Sequence, residues 1–132
     1  MAYATALARD PASTYRQVDV AGRTSGADAP ALVQLLYEEL IAALRAAAWA
    51  TDARNFAKKG ERITRATAIL FALEAGLDHE RGGPLSSTLA KFYAGARRTI
   101  VNAAVGHDSS PFRAAADSIG EVASAWTMAR AA

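Results

Sequence analysis

The fold is decided by the stretch Leu77-Asp78-His79-Glu80-Arg81-Gly82-Gly83-Pro84, which lies between two long segments with helical periodicity. The paired glycines allow positive φ, so the helix before them can end there. Pro84 has a preset φ that suits the first turn of a new helix. The stretch therefore predicts a reversal of the chain, after which the two flanking helices lie side by side in opposite directions.

Four segments around this turn repeat apolar residues every three or four positions, which is the spacing of an amphipathic helix. They span about residues 29–53, 55–77, 84–105 and 111–130. Asn55 and Ser110 are expected to be N-caps. Because the connections are short and no segment alternates as a strand does, the pattern predicts an all-α fold. Its expected architecture is an antiparallel up-down four-helix bundle over residues 28–132.

The third helix illustrates how core-facing residues are assigned from spacing. Its apolar seam is predicted to contain Leu85, Leu89, Phe92, Ala96, Thr99 and Ala103, with Tyr93 and Ile100 beside it. Steps of three and four are typical of helices that pack at a shallow angle. Many seam positions in the chain are alanine, which buries little area at about 25 cal/mol per Å². Alanine therefore either lets helices approach closely or leaves shallow grooves for side chains of a partner.

Residues 1–27 differ from the helical segments and are predicted to form an N-terminal arm. Pro11, Gly22 and Gly26 discourage a long helix there. Its isolated apolar residues are Tyr15, Val18 and Val20. Two interpretations stay open: a terminus without fixed contacts, or an extended or short-helical segment that lies over an apolar groove of the bundle.

Length and composition restrict the classes of protein. The 132 residues are enough for one domain, and 52% hydrophobic with 21% charged residues is typical of a globular chain. The absence of cysteine excludes disulfides, thiolate metal sites and cysteine nucleophiles. The net charge is only +2 and the basic residues are dispersed, so we expect no nucleic-acid partner.

The hydropathy pattern argues against a membrane protein. No uninterrupted apolar run reaches transmembrane length, so no membrane insertion is expected. The first ten residues lack the basic leader and the length of a signal peptide. We therefore expect a cytoplasmic protein.

Candidate catalytic groups are few. Asp78, His79 and Glu80 form a compact polar cluster, but adjacent residues point in different directions and no second Glu-x-x-His pattern accompanies them. The alternative is that these acidic residues hold the turn by accepting hydrogen bonds from backbone N–H groups. Glu38 and Glu39 face about 100° apart on a helix, as a solvated edge does. No phosphate loop or serine triad pattern appears, so we predict no enzyme, catalytic residue, cofactor or metal site.

Several motifs together resemble one family. The run Leu32-Val33-Gln34-Leu35-Leu36-Tyr37-Glu38-Glu39 resembles the first-helix signature of the flagellar secretion chaperone FliS family. The stretch from Leu77 to Gly83 is similar to that family's Leu-Asp-x-Glu-x-Gly-Gly turn. Further resemblance lies in Leu89, Phe92-Tyr93 and Arg97-Arg98 of the third helix, Trp126 of the last helix, and Tyr15 and Val18 of the arm. The similarity covers about residues 13–129.

The resemblance implies a function as well as a fold. It implies a cytoplasmic chaperone that binds the disordered C-terminal segment of flagellin, prevents premature polymerisation and assists delivery to the flagellar type III export apparatus. By this analogy, the arm covers a groove with Tyr15 and Val18 until the client displaces it. The residues expected to bind flagellin are Tyr15, Val18, Leu36, Tyr37, Ile69, Phe71, Leu73, Phe92 and Tyr93.

Other partners and functions stay open. Components of the export apparatus and other flagellar regulatory proteins are further candidate partners, and the free protein is expected to be a monomer or a weak homodimer. The first alternative is a different helical-bundle adaptor or regulatory protein that binds an amphipathic helix of another partner. The second is a metal-dependent enzyme built at Asp78, His79 and Glu80.

Overall fold

The computed structural model describes residues 29–131. Within this range the chain forms helices α1 (Ala29–Asp52), α2 (Phe56–Ala75), α3 (His79–Gly82), α4 (Pro84–Ala103) and α5 (Ser110–Ala131). No strand occurs between residues 29 and 131, and the predicted all-α class is confirmed. The arm predicted for residues 1–27, with Tyr15 and Val18, lies outside the described residues.

Each long helix packs against two others. α1 contacts α2 and α5, and α4 contacts the same two helices. Near the start of α1, the side chain of Gln34 accepts a hydrogen bond of 2.8 Å from Thr127 near the end of α5. At the end of α1, Asp52 forms a 2.7 Å ion pair with Arg113 in the first turn of α5. The start of α1 therefore lies beside the end of α5, and the end of α1 beside the start of α5.

The core lies between these four helices and mixes large aliphatic and aromatic side chains with alanine. The largest fully buried apolar side chains are Leu36, Leu40, Leu44, Ile69, Leu70, Tyr93, Ile100, Phe112 and Ile119. Alanine completes the core at positions 43, 47, 48, 66, 72, 116 and 123. Because alanine removes less apolar area from water than leucine does, these layers stabilise the fold less than leucine layers would.

The orientation of α4 about its axis differs from the predicted seam. Its buried residues are Ser86, Tyr93 and Ile100, spaced seven apart. Leu85 is 64% exposed and Thr99 is also exposed, so neither faces the core as predicted. The apolar face of α4 is wider than the part of it that contacts the core. The seam assigned from spacing lies along one edge of this face, whereas the buried residues lie at its centre.

The turn contains an additional helix that the sequence interpretation missed. α2 ends at Ala75, and its C-cap is Gly76 with an ordinary φ of −81°. The one-turn helix α3 follows, and Gly83 ends it with a φ of +50°. The sequence predicted that the second helix ends near residue 77 and that the chain then reverses directly. In the structure α2 ends two residues earlier, and α3 lies between it and α4. The positive-φ glycine ends α3 rather than α2.

Capping side chains were predicted with mixed success. Asp78 accepts hydrogen bonds from the backbone N–H groups of Glu80 and Arg81, both at 3.1 Å, so the prediction that an acidic residue holds the turn is confirmed for this side chain. Asn55 caps α2 by accepting from the Lys58 N–H at 3.1 Å, as predicted. Ser110 is not a cap: it lies inside α5, and its N–H and hydroxyl donate to Asp108 at 2.9 and 2.8 Å. The carboxylate two residues earlier provides the stronger acceptor.

No helix within residues 29–131 combines the length and the hydropathy that a membrane crossing requires.

Candidate functional site

Two grooves border α4. The first, here called the turn-end groove, has a volume of about 280 Å³. It is lined by Val33, Tyr37, Leu73, Gly76, Leu77, Asp78, Gly82, Leu85, Ser86, Leu89, Tyr93 and Trp126. The second, here called the α4–α5 groove, has a volume of about 590 Å³. It is lined by Lys91, Phe92, Gly95, Ala96, Arg98, Thr99, Asn102, Pro111, Ala114, Ala115 and Ser118.

The turn-end groove is mainly apolar and has a polar pair in its wall. The hydroxyl groups of Tyr37 in α1 and Tyr93 in α4 are 2.7 Å apart, and both residues are buried. Burial raises the pKa of Tyr37 above its usual value, and the hydrogen bond with Tyr93 opposes this effect. The Tyr37 phenol therefore stays neutral at physiological pH. The groove offers aromatic and aliphatic walls without a buried charge.

The turn places Ser86 in this wall. Its hydroxyl donates a 2.9 Å hydrogen bond to the backbone carbonyl of Asp78. That bond ties the first turn of α4 to the residue that caps α3. The side chain of Trp126 closes the other side, with its Nε1 3.4 Å from the carbonyl oxygen of Pro30. The shape of the groove thus depends on α1, α5 and the turn together.

The α4–α5 groove exists because small residues face each other across the two helices. Gly95 and Ala96 on α4 lie opposite Ala114 and Ala115 on α5, where larger side chains would fill the space. Of the four pairs of long helices that pack against each other, α4 and α5 make the least extensive contact. Lys91 and Arg98 are the charged residues in the lining, which contains no carboxylate. A partner helix with an apolar face and acidic flanks would match this groove in shape and charge.

The residues predicted to bind a partner lie in different places. Tyr37, Leu73 and Tyr93 line the turn-end groove, and Phe92 lines the α4–α5 groove. Leu36 and Ile69 are buried in the core and line neither groove. The structure thus brings four of the predicted residues to the grooves and places two in the interior.

Phe71 occupies a separate surface of α2. It is exposed, and the guanidinium carbon of Arg97 lies 4.1 Å from its ring centroid. Arg97 also donates a 2.8 Å hydrogen bond to Glu74, one turn after Phe71. The guanidinium group covers one face of the ring. Phe71 is therefore partly shielded from solvent on the outer surface formed by α2 and α4. Its role in binding stays a prediction, as does that of the other residues.

Sequence reasoning missed most of the groove lining. In the turn-end groove the missed apolar residues are Val33, Leu77, Leu85, Leu89 and Trp126. In the α4–α5 groove they are the small residues Gly95, Ala96, Ala114 and Ala115, of which Ala96 had been assigned to the core seam of its helix. The clusters Gly95-Ala96 and Ala114-Ala115 were the available signal. Two neighbouring helices that both carry small residues at facing positions leave either close contact or a groove, and spacing cannot choose between these.

The polar cluster at the turn serves the backbone. Asp78 uses its side chain as the α3 cap, and His79 and Glu80 are exposed on α3. Across residues 29–131, no group of three histidine, aspartate or glutamate side chains is arranged as a metal-binding set.

The chain is similar to known proteins over most of its length. Residues 11–132 match the protein-family model described as flagellar protein FliS. The chain is 31% identical over 112 residues to the flagellar secretion chaperone FliSB of Pseudomonas aeruginosa, covering 85% of this chain and 89% of the relative. It is 27% identical over 113 residues to the flagellar secretion chaperone FliS of Salmonella typhimurium, with 85% and 84% covered. For the Vibrio cholerae protein of the same name the identity is 29% over 118 residues, with 89% and 87% covered.

Proposed function

The chain belongs to the flagellar protein FliS family, and from this membership we propose that it is a non-enzymatic secretion chaperone for flagellin. In this proposal it binds the disordered C-terminal segment of flagellin in the cytoplasm and prevents early polymerisation. It then assists delivery of the client to the flagellar type III export apparatus. The names of the relatives support a chaperone role, and the client and the delivery step are our proposal.

The observation that carries the proposal is the pair of grooves beside α4. Together they present apolar walls to solvent, and the larger one has a basic rim at Lys91 and Arg98. A segment that is disordered when free and helical when bound can place its apolar face in such grooves. Because ordering the segment has an entropic cost, tight binding requires that a large surface is buried. Two grooves together offer a larger surface to the segment than one groove does.

We propose an antiparallel four-helix bundle as the frame that holds the grooves. The contacts at Gln34–Thr127 and Asp52–Arg113 support opposite directions for α1 and α5. The 2.6 Å hydrogen bond from Lys59 to the carbonyl of Gly106 and the ion pair of Glu74 with Arg97 support the same relation for α2 and α4.

The N-terminal arm is proposed as an internal competitor for a groove, with Tyr15 and Val18 as the residues that the client displaces. Deleting residues 1–20 is then expected to leave the bundle folded and to change the affinity for flagellin. An affinity identical to that of the full chain would contradict this part of the proposal and leave the groove assignment intact.

The central experiment is isothermal titration calorimetry of the full chain with the C-terminal segment of the cognate flagellin. We expect a stoichiometric complex with a negative heat-capacity change, because apolar surface is buried on binding. If no complex forms, the proposal is wrong. Stoichiometric binding of an amphipathic helix from a different protein would then favour the alternative adaptor function.

A groove-filling substitution tests where the client binds. Ala114→Trp places a large side chain at an exposed position of α5 that lines the α4–α5 groove. We expect it to weaken flagellin binding by at least about tenfold, which corresponds to about 1.4 kcal/mol. Ala125→Trp is the matched control, since Ala125 is an exposed alanine of the same helix that lines neither groove. Equal affinities of the two variants for flagellin would show that the client does not bind in this groove.

A further inference from the structure

A third surface lies where α2 begins and α4 ends, and it shares no residue with either groove. We call it the loop-end surface and define it by Phe56, Val101, Val105 and His107, with Arg54 and Lys58 as its basic members. Val105 is 90% exposed, and Phe56 and Val101 are each about half exposed. They are three of the seven large apolar residues that are exposed within residues 29–131. Concentration of such residues at one end is typical of a binding surface.

The loop that carries Val105 and His107 is held in place by a buried cation. Lys59 on α2 is only 2% exposed, and its Nζ donates a 2.6 Å hydrogen bond to the Gly106 carbonyl. The same Nζ lies 5.8 Å from the ring centroid of Phe112 in α5. No carboxylate of residues 29–131 lies within 4.0 Å of this ammonium group. Burying an ammonium group is costly unless it is well bonded. The hydrogen bond from Lys59 to the Gly106 carbonyl therefore fixes the conformation of the loop.

Two further contacts orient the exposed side chains. The rings of Phe56 and His107 stack at a tilt, with centroids 5.8 Å apart. Arg54 lies with its Nη1 3.4 Å from Nδ1 of His107, and it has a φ of +56°, which is unusual for a residue other than glycine. The start of α2 and the loop after α4 thus meet at His107, which contacts both Phe56 and Arg54.

The charges on this surface favour an acidic partner. The segments 52–62 and 107–113 contain five basic residues, Arg54, Lys58, Lys59, Arg62 and Arg113, and three carboxylates. Each carboxylate has a partner: Asp52 pairs with Arg113 at 2.7 Å, Glu61 lies 4.0 Å from Arg62, and Asp108 binds Ser110. Hydrogen bonds from Arg113 and from Ser110 also hold the pKa values of Asp52 and Asp108, respectively, below their usual range. Lys58, in contrast, has no side-chain partner among residues 29–131.

We propose that the loop-end surface binds an acidic segment of a partner protein that carries exposed aliphatic or aromatic side chains. Val105 and Phe56 supply the apolar contact, and Arg54 and Lys58 pair with the carboxylates. This site is separate from the client grooves, so a chaperone with a filled groove retains it for a second protein. Binding is electrostatically assisted and weakens as the salt concentration rises.

The test uses the full chain and two synthetic peptides. One carries leucines one helical turn apart with flanking glutamates, and the other has lysines in place of the glutamates. NMR titration is expected to shift the signals of Val105 and the His107 ring with the acidic peptide and not with the basic one. Failure of the acidic peptide to shift these signals, or equal shifts with both peptides, would overturn the proposal. So would tighter binding to vesicles of phosphatidylserine and phosphatidylcholine than to the acidic peptide, since that result would assign the surface to a membrane.

Substitutions separate this site from the grooves. Val105→Asp changes an exposed loop residue and is expected to lower the affinity for the acidic peptide by about tenfold or more. Met128→Asp is the matched control at an exposed apolar position of α5, and it should leave peptide affinity unchanged. An equal loss in both variants would contradict the proposal. Val105→Asp should also bind the flagellin segment normally. Because an acidic amphipathic helix also suits the α4–α5 groove, peptide binding at the loop-end surface is measured from the His107 ring signals, which should shift in Ala114→Trp as they do in the parent. The two functions can therefore fail independently.

Discussion

The hydroxyl oxygens of Tyr37 and Tyr93 lie 2.7 Å apart, which links α1 to α4 through a buried hydrogen bond beside the turn-end groove. The Tyr37 hydroxyl makes its side-chain hydrogen bond with this partner. It therefore couples the stability of the helix packing to the shape of a proposed binding groove.

Removing the partner should leave the Tyr37 hydroxyl buried without compensation. We expect Tyr93→Phe to lower the free energy of unfolding by about 1–3 kcal/mol, the usual cost of an unsatisfied buried polar group. Urea denaturation monitored by circular dichroism measures the change. The double variant Tyr37→Phe with Tyr93→Phe should lose less than the sum of the single losses, because it has no orphaned hydroxyl. Strict additivity would show that the pair does not interact energetically.

The same pair predicts a dependence of stability on alkaline pH. Burial raises the pKa of Tyr37 above 10.0 in the folded protein, whereas the unfolded chain has the ordinary value. The unfolded chain therefore releases this proton first. The contribution of the neutral phenol to stability is complete below about pH 10 and is lost as the pH rises through the folded-state pKa. Tyr37→Phe should show a smaller loss of stability between about pH 9 and 11 than the parent in urea titrations. A loss of the same size in both would contradict the assignment.

The buried lysine can be compared with its neighbour in sequence. Lys59→Met keeps an apolar stem in contact with its surroundings but removes the hydrogen bond to the Gly106 carbonyl. We expect a loss of about 1–3 kcal/mol and faster amide hydrogen exchange in the loop before α5. Lys58→Met is the control, because Lys58 is more exposed and its side chain makes no hydrogen bond to residues 29–131; it should stay within about 0.5 kcal/mol of the parent. If both variants unfold at the same urea concentration, the buried cation does not fix the loop.

One type of substitution should have opposite effects at two glycines. A Cβ at Gly82 would collide with the Ser86 hydroxyl, which donates to the Asp78 carbonyl, so Gly82→Ala must disturb that hydrogen bond. We expect it to destabilise the protein by about 1 kcal/mol or more. Gly60 lies within α2 and a Cβ there would meet no atom within 4 Å, so Gly60→Ala should stabilise by about 0.5–1 kcal/mol. Thermal unfolding of the two variants tests the signs, and a shift of both in the same direction would refute the structural explanation.

The class of the fold was predictable because helical periodicity and caps are local properties of the sequence. Asn55 and Asp78 were identifiable as side chains that bind backbone N–H groups, and the structure confirms both contacts. The extra turn α3 was not predicted, since Gly76 ends α2 with an ordinary helical φ and gives no conformational signal distinct from the paired glycines that follow.

The candidate site was less predictable than the fold. Tyr93 was expected beside the seam of its helix and is instead the centre of the buried line, with Ser86 and Ile100. Which residue of a wide apolar stripe faces the core depends on where the neighbouring helices lie, and that information is not local. The α4–α5 groove has the same cause, because alanine and glycine at facing positions are compatible with both close packing and an open space.

Phe92 and Tyr93 are consecutive in α4, and their ring centroids are 5.8 Å apart. Phe92 lines the α4–α5 groove and Tyr93 lines the turn-end groove. A client that moves one ring therefore acts on the wall of the other groove, which gives the two sites a route for cooperativity. Such coupling is reciprocal: the factor by which filling the first groove changes affinity at the second also applies in the other direction. With positive coupling, a segment that spans both grooves would be released in one concerted step, because losing its contacts in either groove would weaken its binding in the other.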